Sequence, residues 1–86
     1  MYEIKLKRGP EKFIRKQSRK VQLQLISALR KLRKDPRPAQ AKKLSGHDEL
    51  YRIRAGDYRI VYNIQDKILL ILIVRVAHRK DIYKNL

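Results

Sequence analysis

Three arginines stand at alternating positions in a short stretch, Leu50 to Tyr62 (LYRIRAGDYRIVY), that reads as two strands joined by a turn. Successive side chains of a strand point to opposite faces, so Arg52 and Arg54 share a face. After the Ala55–Asp57 connection, Arg59 resumes the alternation. If the segment folds as a hairpin, three guanidiniums meet on one surface. Clustered guanidiniums suit phosphate, so the pattern predicts a phosphate site, with Tyr51, Ile53, Ile60 and Tyr62 inside the protein.

The same alternation has an ordinary structural explanation, because any half-exposed antiparallel strand alternates charged and apolar residues. The overall charge favours the functional interpretation. The 86 residues contain 23 Lys and Arg against 8 Asp and Glu, a formal net charge of +15. A compact body with that charge attracts polyanions. Nucleic acid, an anionic membrane surface and an acidic protein all remain open as partners.

Several classes of protein are disfavoured by length and residue usage. The chain suits one domain, residues 1–86. It has no cysteine for a disulfide or thiolate site, and His47 and His78 lack a nearby carboxylate cluster that would complete a zinc site. The charged start, Met1 to Arg8, does not resemble a signal peptide, and the longest apolar run, Ile68 to Val74, is too short to span a membrane. We therefore expect a cytoplasmic protein without a cofactor.

The first half of the chain predicts one strand and two helices. Apolar and charged residues alternate from Tyr2 to Lys7, which indicates a short first strand. Pro10 suits the first turn of a helix that we expect to run to about Gln17. Ser18 is a good N-cap for a longer second helix, which Pro36 must end. That helix carries an apolar stripe opposite a basic face: Val21, Leu25, Ala28, Leu29 and Leu32.

The second half predicts a sheet. A connector from Ala39 to Asp48 precedes the arginine-bearing strands. The seven apolar residues Ile68 to Val74 predict a strand covered on both faces, and hence central. Beyond Val76 we expect a turn and a short final helix, the only spare piece that can cover the second face of the central strand. The order predicts an α+β fold in which a helical hairpin packs on one face of a mostly antiparallel four-stranded sheet.

The last strand carries further candidates, whose face the sequence leaves open. Alternation separates two sets, namely Ile73, Arg75, Ala77 and Arg79 against Val74, Val76 and His78. If the first set faces the hairpin arginines, Arg75 and Arg79 join them around one concavity. Nearby, His78, Asp81 and Tyr83 bring groups that move protons in phosphodiester chemistry. Each also has an ordinary explanation: a solvated histidine, a carboxylate paired with arginine, and a tyrosine packed in the core.

Two segments of the chain carry a resemblance to a known group of proteins. The stretches YRIRAGDYRIVYNI, Tyr51 to Ile64, and RVAHRKDIY, Arg75 to Tyr83, resemble the RelE/ParE toxin superfamily, its RelE branch in particular. The helical hairpin and the KLSG connector, Lys43 to Gly46, fit as well, so the resemblance covers essentially the whole chain. It implies a RelE-like fold and a toxin that enters the ribosomal A site and cuts messenger RNA there without metal. It also implies an antitoxin partner, which the basic charge predicts to be acidic or amphipathic.

The resemblance also implies roles for individual residues. Arg52 and Arg54 match basic positions that contact the scissile phosphate in the family. Arg59 matches a residue that stabilises the transition state, and Arg79 matches the arginine that assists the leaving group. Tyr83 matches a tyrosine that stacks on or orients the nucleotide. Five more basic residues are expected to bind RNA: Lys42, Lys43, Arg75, Lys80 and Lys84.

The chain departs from the family pattern at the position of the general base. The family often has a lysine at position 52 or 54, whereas this chain has arginine at both. Arginine is not deprotonated in proteins and cannot serve as an ordinary base. The base is then His78, Tyr83 or a carboxylate, or the rate comes mainly from electrostatics.

Two other functions compete with the ribonuclease. A ParE-like poison of DNA gyrase would share the fold and the basic charge, but would act by protein contact without catalysis. A plain RNA-binding protein would be explained by charge alone. The paired arginines and the tail from His78 to Tyr83 favour the ribonuclease, because a poison acting by protein contact has no use for a phosphate site.

Overall fold

The computed structural model describes residues 1–44, 46 and 49–82, and within this part the chain forms two helices and five strands. The elements, in chain order, are β1 (Glu3–Leu6), α1 (Arg8–Arg15), α2 (Arg19–Lys34), β2 (Lys42–Lys43), β3 (Leu50–Ala55), β4 (Tyr58–Gln65) and β5 (Leu70–His78). A 3-10 turn, Asp66–Ile68, separates β4 from β5. Neither described helix is long and apolar enough to cross a membrane.

The strands form one mixed sheet in the order β1-β5-β4-β3-β2. Strand β1 runs parallel to β5, and the other neighbours are antiparallel. The expected four-stranded sheet is therefore corrected to five strands. Strand β2 has two residues, too few to show an alternation, and the alternation in β1 does not indicate its partner. The central position predicted for the last strand is confirmed, since β5 lies between β1 and β4.

The helical hairpin forms largely as predicted. The Ser18 Oγ accepts a hydrogen bond from the Val21 N–H at 3.3 Å and caps α2. Helix α2 ends at Lys34, just before Pro36. Helix α1 begins two residues before Pro10, which still lies in its first turn, where a missing N–H costs no helical hydrogen bond.

The main core lies between the helices and one face of the sheet. Leucines of α2 pack against residues of β3, β4 and β5 in one cluster: Leu25, Leu29, Leu32, Ile53, Ile60, Tyr62, Ile71 and Ile73. A second, smaller cluster on the opposite face joins Val61, Ala77 and Ile82. Ile82 is only 2% exposed, so the chain beyond β5 does cover part of that face.

The end of the chain differs in part from the expectation. Beyond Val76 the strand continues to His78 and Arg79 to Ile82 form the expected turn, so the described residues contain no final helix; residues 83–86 lie outside them. Strand β5 begins at Leu70 rather than at Ile68, because the 3-10 turn and the left-handed Leu69 (φ 51°) precede it. Ile68 and Leu69 are consequently 64% and 49% exposed.

A β-bulge corrects the alternation assumed for β5. Tyr62 pairs with Ile73 and Val61 pairs with Arg75, so Val74 is the extra residue. Ile73 therefore packs in the helix-side core, whereas Arg75 lies on the opposite face. The expectation that these two residues share a face was wrong, because one inserted residue reverses the alternation after it.

Candidate phosphate-binding site

The β3–β4 hairpin brings three arginines to the sheet face that is turned away from the helices. Arg54 lies directly opposite Arg59, and Arg52 lies opposite Val61. Residues directly opposite each other in an antiparallel pair share a face, so Arg52, Arg54 and Arg59 do too. We call this surface the arginine face. The predicted grouping of the three arginines is confirmed.

The inward side of the hairpin also follows the prediction. Ile53 pairs with Ile60 and Tyr51 with Tyr62, and all four side chains belong to or pack against the helix-side core. Ile53, Ile60 and Tyr62 are buried and Tyr51 is half-buried. The aliphatic and aromatic side chains thus anchor the strands from behind, and on the other face Arg54 is exposed while Arg52 and Arg59 are half-buried.

The turn of the hairpin is held tightly against α2. Gly56 has φ +62°, which glycine adopts without steric cost. A Cβ atom at this position would collide with the side-chain amide of Gln24 on α2. A larger residue at position 56 would have to displace the end of the Gln24 side chain and adopt a left-handed backbone conformation, so glycine suits this turn best.

Arg79 is brought to the same turn by the chain that follows β5. Its backbone N–H donates to the Asp57 carbonyl at 2.8 Å, and its Nη1 lies 4.0 Å from the Asp57 Oδ1. Both side chains are more than half exposed, so this long ion pair is weak. The sequence did not single out Asp57. Its place in the turn between the two arginine-bearing strands is the sequence feature that could have identified it.

The electrostatics of Arg59 show how crowded the cations are. Partial burial lowers the pKa of Arg59 below its ordinary value, and the positive charges of Arg54, Arg52 and Arg79 lower it further, against a weaker opposing effect of Asp57. The Arg59 guanidinium is held in place by hydrogen bonds from Nη1 to the carbonyls of Gly56 (2.8 Å) and Tyr58 (2.9 Å). Three cations therefore act on Arg59 at one end of the sheet, and an anion bound there would relieve this repulsion.

His78 is not brought together with these arginines. It pairs with Tyr58, and their rings meet edge to face at 5.6 Å between centroids. Tyr58 in turn packs against Phe13 of α1, on the helix side of the sheet. The Nδ1 atom of His78 accepts the Lys80 N–H at 3.2 Å, which leaves Nε2 for proton transfer. His78 therefore lies on the face of the sheet opposite the arginine face.

The residues expected to bind RNA are distributed over both faces. Lys42 lies opposite Arg52 and extends the arginine face to the sheet edge, whereas Lys43 lies opposite Tyr51 on the helix side. Lys80 is exposed in the final turn. Arg75 is on the arginine face, with its guanidinium directed to the carbonyls of residues 81 and 82. Tyr83 and Lys84 lie outside the described residues.

A second arginine environment, which the sequence did not indicate, lies away from the arginine face. Arg37 donates two hydrogen bonds to the Asp66 carboxylate, at 2.9 and 3.3 Å, and one to the Tyr51 hydroxyl at 3.2 Å. The Tyr2 hydroxyl also donates to Asp66, at 2.6 Å. Hydrogen bonds from Arg37 and Tyr2 hold the pKa of Asp66 below its ordinary value. Within residues 1–44, 46 and 49–82, acidic and histidine side chains form no cluster of three or more that would suit a metal ion.

Comparison with known sequences places the chain in a protein family. A family described as the ParE toxin of type II toxin–antitoxin systems (parDE) matches residues 5–83. The chain belongs to this family. A curated relative, provisionally named toxin RelE1 of Methanocaldococcus jannaschii, is 39% identical over 44 residues, which are 51% of this chain. The match spans only 49% of that relative's length.

Solved structures of RelE toxins share the fold of this ParE-family chain. The RelE chain in the RelE–RelB complex of Pyrococcus horikoshii superposes with a TM-score of 0.80 at 26% identity, covering 91% of this chain and 94% of that one. Isolated RelE of E. coli superposes with a TM-score of 0.79 at 26% identity, covering 91% of this chain and 84% of that one. A chain of the intact E. coli RelBE complex superposes with a TM-score of 0.78 at 28% identity, covering 91% of this chain and 96% of that one. The predicted membership of the RelE/ParE superfamily, in its RelE branch, is confirmed.

Proposed function

We propose that this ParE-family chain is the toxin of a type II toxin–antitoxin system and acts as a ribosome-dependent endoribonuclease. It cuts messenger RNA in the ribosomal A site without a metal. The observation that supports this function best is the convergence of Arg52, Arg54, Arg59 and Arg79, whose mutual repulsion acts on Arg59. Crowded cations on an exposed surface suit a substrate that carries its negative charge on phosphate.

The proposed reaction is an internal attack within the RNA. The ribose 2′-oxygen attacks the adjacent phosphorus and loses its proton, while the bond from phosphorus to the 5′-oxygen breaks and that oxygen gains a proton. The products are a cyclic phosphate and a free 5′-hydroxyl. Negative charge grows on the phosphate in the transition state, and Arg52, Arg54 and Arg59 are proposed to stabilise it, with Arg79 assisting the leaving group.

The proton acceptor is the unusual feature of the proposal. Arginines 52 and 54 cannot take the proton, and His78 faces the helix side of the sheet. We therefore assign most of the acceleration to electrostatic stabilisation by preorganised guanidiniums. Tyr83 is proposed to stack on or orient the nucleotide, and Tyr83 and a carboxylate are the remaining candidates for proton transfer.

The proposed partner that silences the toxin is an acidic or amphipathic antitoxin. The net charge of +15 supports this, because a partner of opposite charge would cover the arginine face and compete with RNA. Solved structures similar to this chain include complexes of RelE with RelB. We propose that toxin and antitoxin meet in the cytoplasm, where ribosomes carry messenger RNA.

The decisive experiment adds the purified protein to translating ribosomes and maps message ends by primer extension. We expect new 5′ ends within codons that occupy the A site. The matched control is Arg15→Ala, which removes an exposed arginine whose recorded partner is Glu11 of α1. Absence of cleavage by the unmutated protein would contradict the proposal.

A second candidate is favoured by the description of the matching family, which names the ParE toxin. In that case the protein would trap DNA gyrase on DNA without cutting RNA. A gyrase supercoiling and DNA-cleavage assay run beside the ribosome assay separates the two. Trapped gyrase–DNA complexes with intact messages would transfer the assignment to the gyrase poison, and RNA retention without either activity would indicate a plain RNA-binding protein.

A further inference from the structure

The side of helix α2 that is turned away from the sheet presents two apolar side chains to solvent. Leu23 is 55% exposed and Ile26 is 38% exposed, whereas the leucines of α2 that face the sheet are buried. The other large apolar residues that the described chain exposes lie at its start and around the turn before β5: Met1, Ile68 and Leu69. Within the described residues, a helix therefore presents exposed large apolar side chains at these two positions.

The two apolar residues belong to a regular line of side chains along the helix. The line consists of four residues at spacings of four, three and four: Arg19, Leu23, Ile26 and Arg30. Alternating spacings of three and four keep side chains in one narrow seam, as in helices that pack against a single further helix. The helical rise places the two arginines about 16 Å apart along the axis, with the apolar pair between them. We call these four residues the α2 seam.

The positive charge of the α2 seam is not offset by the helix that carries it. Helix α2 contains six Lys and Arg and no Asp or Glu. On the neighbouring α1, Glu11 pairs with Arg15. Across residues 1–44, 46 and 49–82, the ion pairs involve Arg15, Arg37 and Arg79 and none of the cations of α2. The seam thus offers an apolar contact with positive charge at both ends.

An acidic amphipathic helix fits both properties of the α2 seam. A second copy of this chain carries the same net charge of +15 and would be repelled. Nucleic acid would use the cations but leave Leu23 and Ile26 exposed. A membrane surface suits a helix with a broad apolar face, whereas this seam has two apolar residues. Charge complementarity and the narrow apolar line together favour one partner helix.

We propose that the α2 seam binds a helix of another protein whose apolar pair packs on Leu23 and Ile26. Carboxylates about eleven residues apart on that helix pair with Arg19 and Arg30. The contact is small, so the complex is weak and transient. The seam lies on the far side of α2 from the sheet, so a bound helix leaves the arginine face open. Such binding requires neither cleavage of RNA nor an effect on gyrase.

The test uses a synthetic peptide as the partner helix, titrated into the isotope-labelled full chain and followed by amide chemical shifts. The peptide is an alanine-rich helix of about twenty residues, with two leucines between two glutamates at the same four-three-four spacing. We expect the shifts to concentrate in residues 19–30. A control peptide of equal composition, with its glutamates opposite its leucines, should bind at least about tenfold more weakly. Equal binding of both peptides, or shifts centred on the arginine face, would overturn the proposal.

Two pairs of variants separate the α2 seam from general charge and apolarity. Leu23→Gln/Ile26→Gln should weaken peptide binding by about tenfold or more, because it removes the central apolar contact. Its control, Ile68→Gln/Leu69→Gln, also removes two exposed apolar side chains and should bind normally. Arg30→Glu should weaken binding more than Lys67→Glu, which makes the same change of net charge at an exposed turn. Equal losses in a variant and its control, with normal unfolding midpoints, would contradict binding at the seam.

Titrations with two other probes decide which class of partner the seam accepts. A short RNA duplex and vesicles of anionic phospholipid are added in turn to the unmutated chain and to Leu23→Gln/Ile26→Gln. We expect RNA to shift the arginine face and to leave residues 19–30 unchanged. If either probe shifts residues 19–30 and binds equally well to the double variant, the seam acts through charge alone and the proposal is wrong.

Discussion

Arg37 and Arg59 show two ways in which one fold accommodates an arginine. Arg37 is hydrogen-bonded to Asp66 and to Tyr51, and its guanidinium carbon lies 5.3 Å from the centre of the Tyr51 ring. These contacts raise the pKa of Arg37, the Asp66 hydrogen bond most of all. For Arg59, burial and the cations of Arg54, Arg52 and Arg79 lower the pKa.

The two arginines differ in whether the protein itself neutralises their charge. Around Arg37 the protein supplies the negative charge itself, so the network is complete without a ligand. Around Arg59 the protein gathers like charges, which weakens folding unless something compensates. An arrangement that lowers the stability of the free protein and becomes favourable when an anion binds is expected where a ligand binds. The comparison therefore favours a stabilising role for the Arg37 network and supports the proposed binding of phosphate at the arginine face.

The largest effect should come from removing a crowded arginine. We expect Arg79→Ala to lower single-turnover cleavage of ribosome-bound message by about 10² to 10³, the usual loss for one positioned transition-state donor. Fold stability should hardly change, because the Asp57 pair is long and exposed. A rate near that of the unmutated protein, at saturating toxin, would remove Arg79 from the mechanism.

The next effect concerns the residues proposed to move protons. Tyr83→Phe should lower the rate by about 10² if the hydroxyl transfers a proton, and only slightly if the ring stacks on the base. His78→Gln should leave the rate near normal, because His78 lies on the helix side of the sheet. A large loss in His78→Gln would restore histidine as the base, and pre-steady-state rates across pH 5 to 9 would show its titration.

The third test concerns the charge of the whole arginine face. We expect the association rate with an acidic antitoxin to fall steeply as salt rises from low to physiological concentration, by about tenfold or more, since steering depends on unscreened charge. Stopped-flow mixing at several ionic strengths measures this. An on-rate insensitive to salt, or co-purification of a basic partner alone, would count against an acidic partner.

A substitution in the Arg37 network should lower stability and leave cleavage unchanged, the opposite of what we expect for the arginine face. We expect Arg37→Ala to lower the free energy of unfolding by about 1 kcal/mol, since an exposed ion pair and a cation–π contact contribute modestly. Cleavage on ribosomes should stay near normal. Denaturant titration and the cleavage assay on the same preparation check both statements, and a selective loss of cleavage would show that the two environments are coupled.

The smallest effect is a pH dependence of stability through Asp66. The pKa of Asp66 is lowered in the folded protein, so its contribution to stability is present above the unfolded pKa, near 4, and is lost as pH falls through the folded pKa. We expect the stability difference between the unmutated protein and Asp66→Asn to shrink below about pH 4. Unfolding midpoints measured from pH 6 to 2 test this, and a constant difference would contradict it.

Much of the site was readable from the sequence because its pattern is local. Arg52, Arg54 and Arg59 repeat with the period of an extended chain, and Gly56 and Asp57 mark the turn, so grouping them needed no knowledge of the rest of the fold. The Ser18 cap and the stop at Pro36 were equally local. The network of Arg37, Asp66 and Tyr2 was not readable, since Tyr2 and Asp66 are 64 positions apart and meet only through the sheet.

The sequence by itself determined the family, the helical hairpin and which side chains of the β3–β4 hairpin share a face, because each follows from short-range geometry or from motifs read directly. The tertiary structure alone decided that β1 runs parallel to β5 and that a bulge at Val74 places Arg75 on the face away from the core. It also decided that Arg79 lies beside Asp57, whereas His78 faces the helices. These outcomes depend on pairing between segments far apart in the chain. A single unpaired residue there reverses every side chain that follows it.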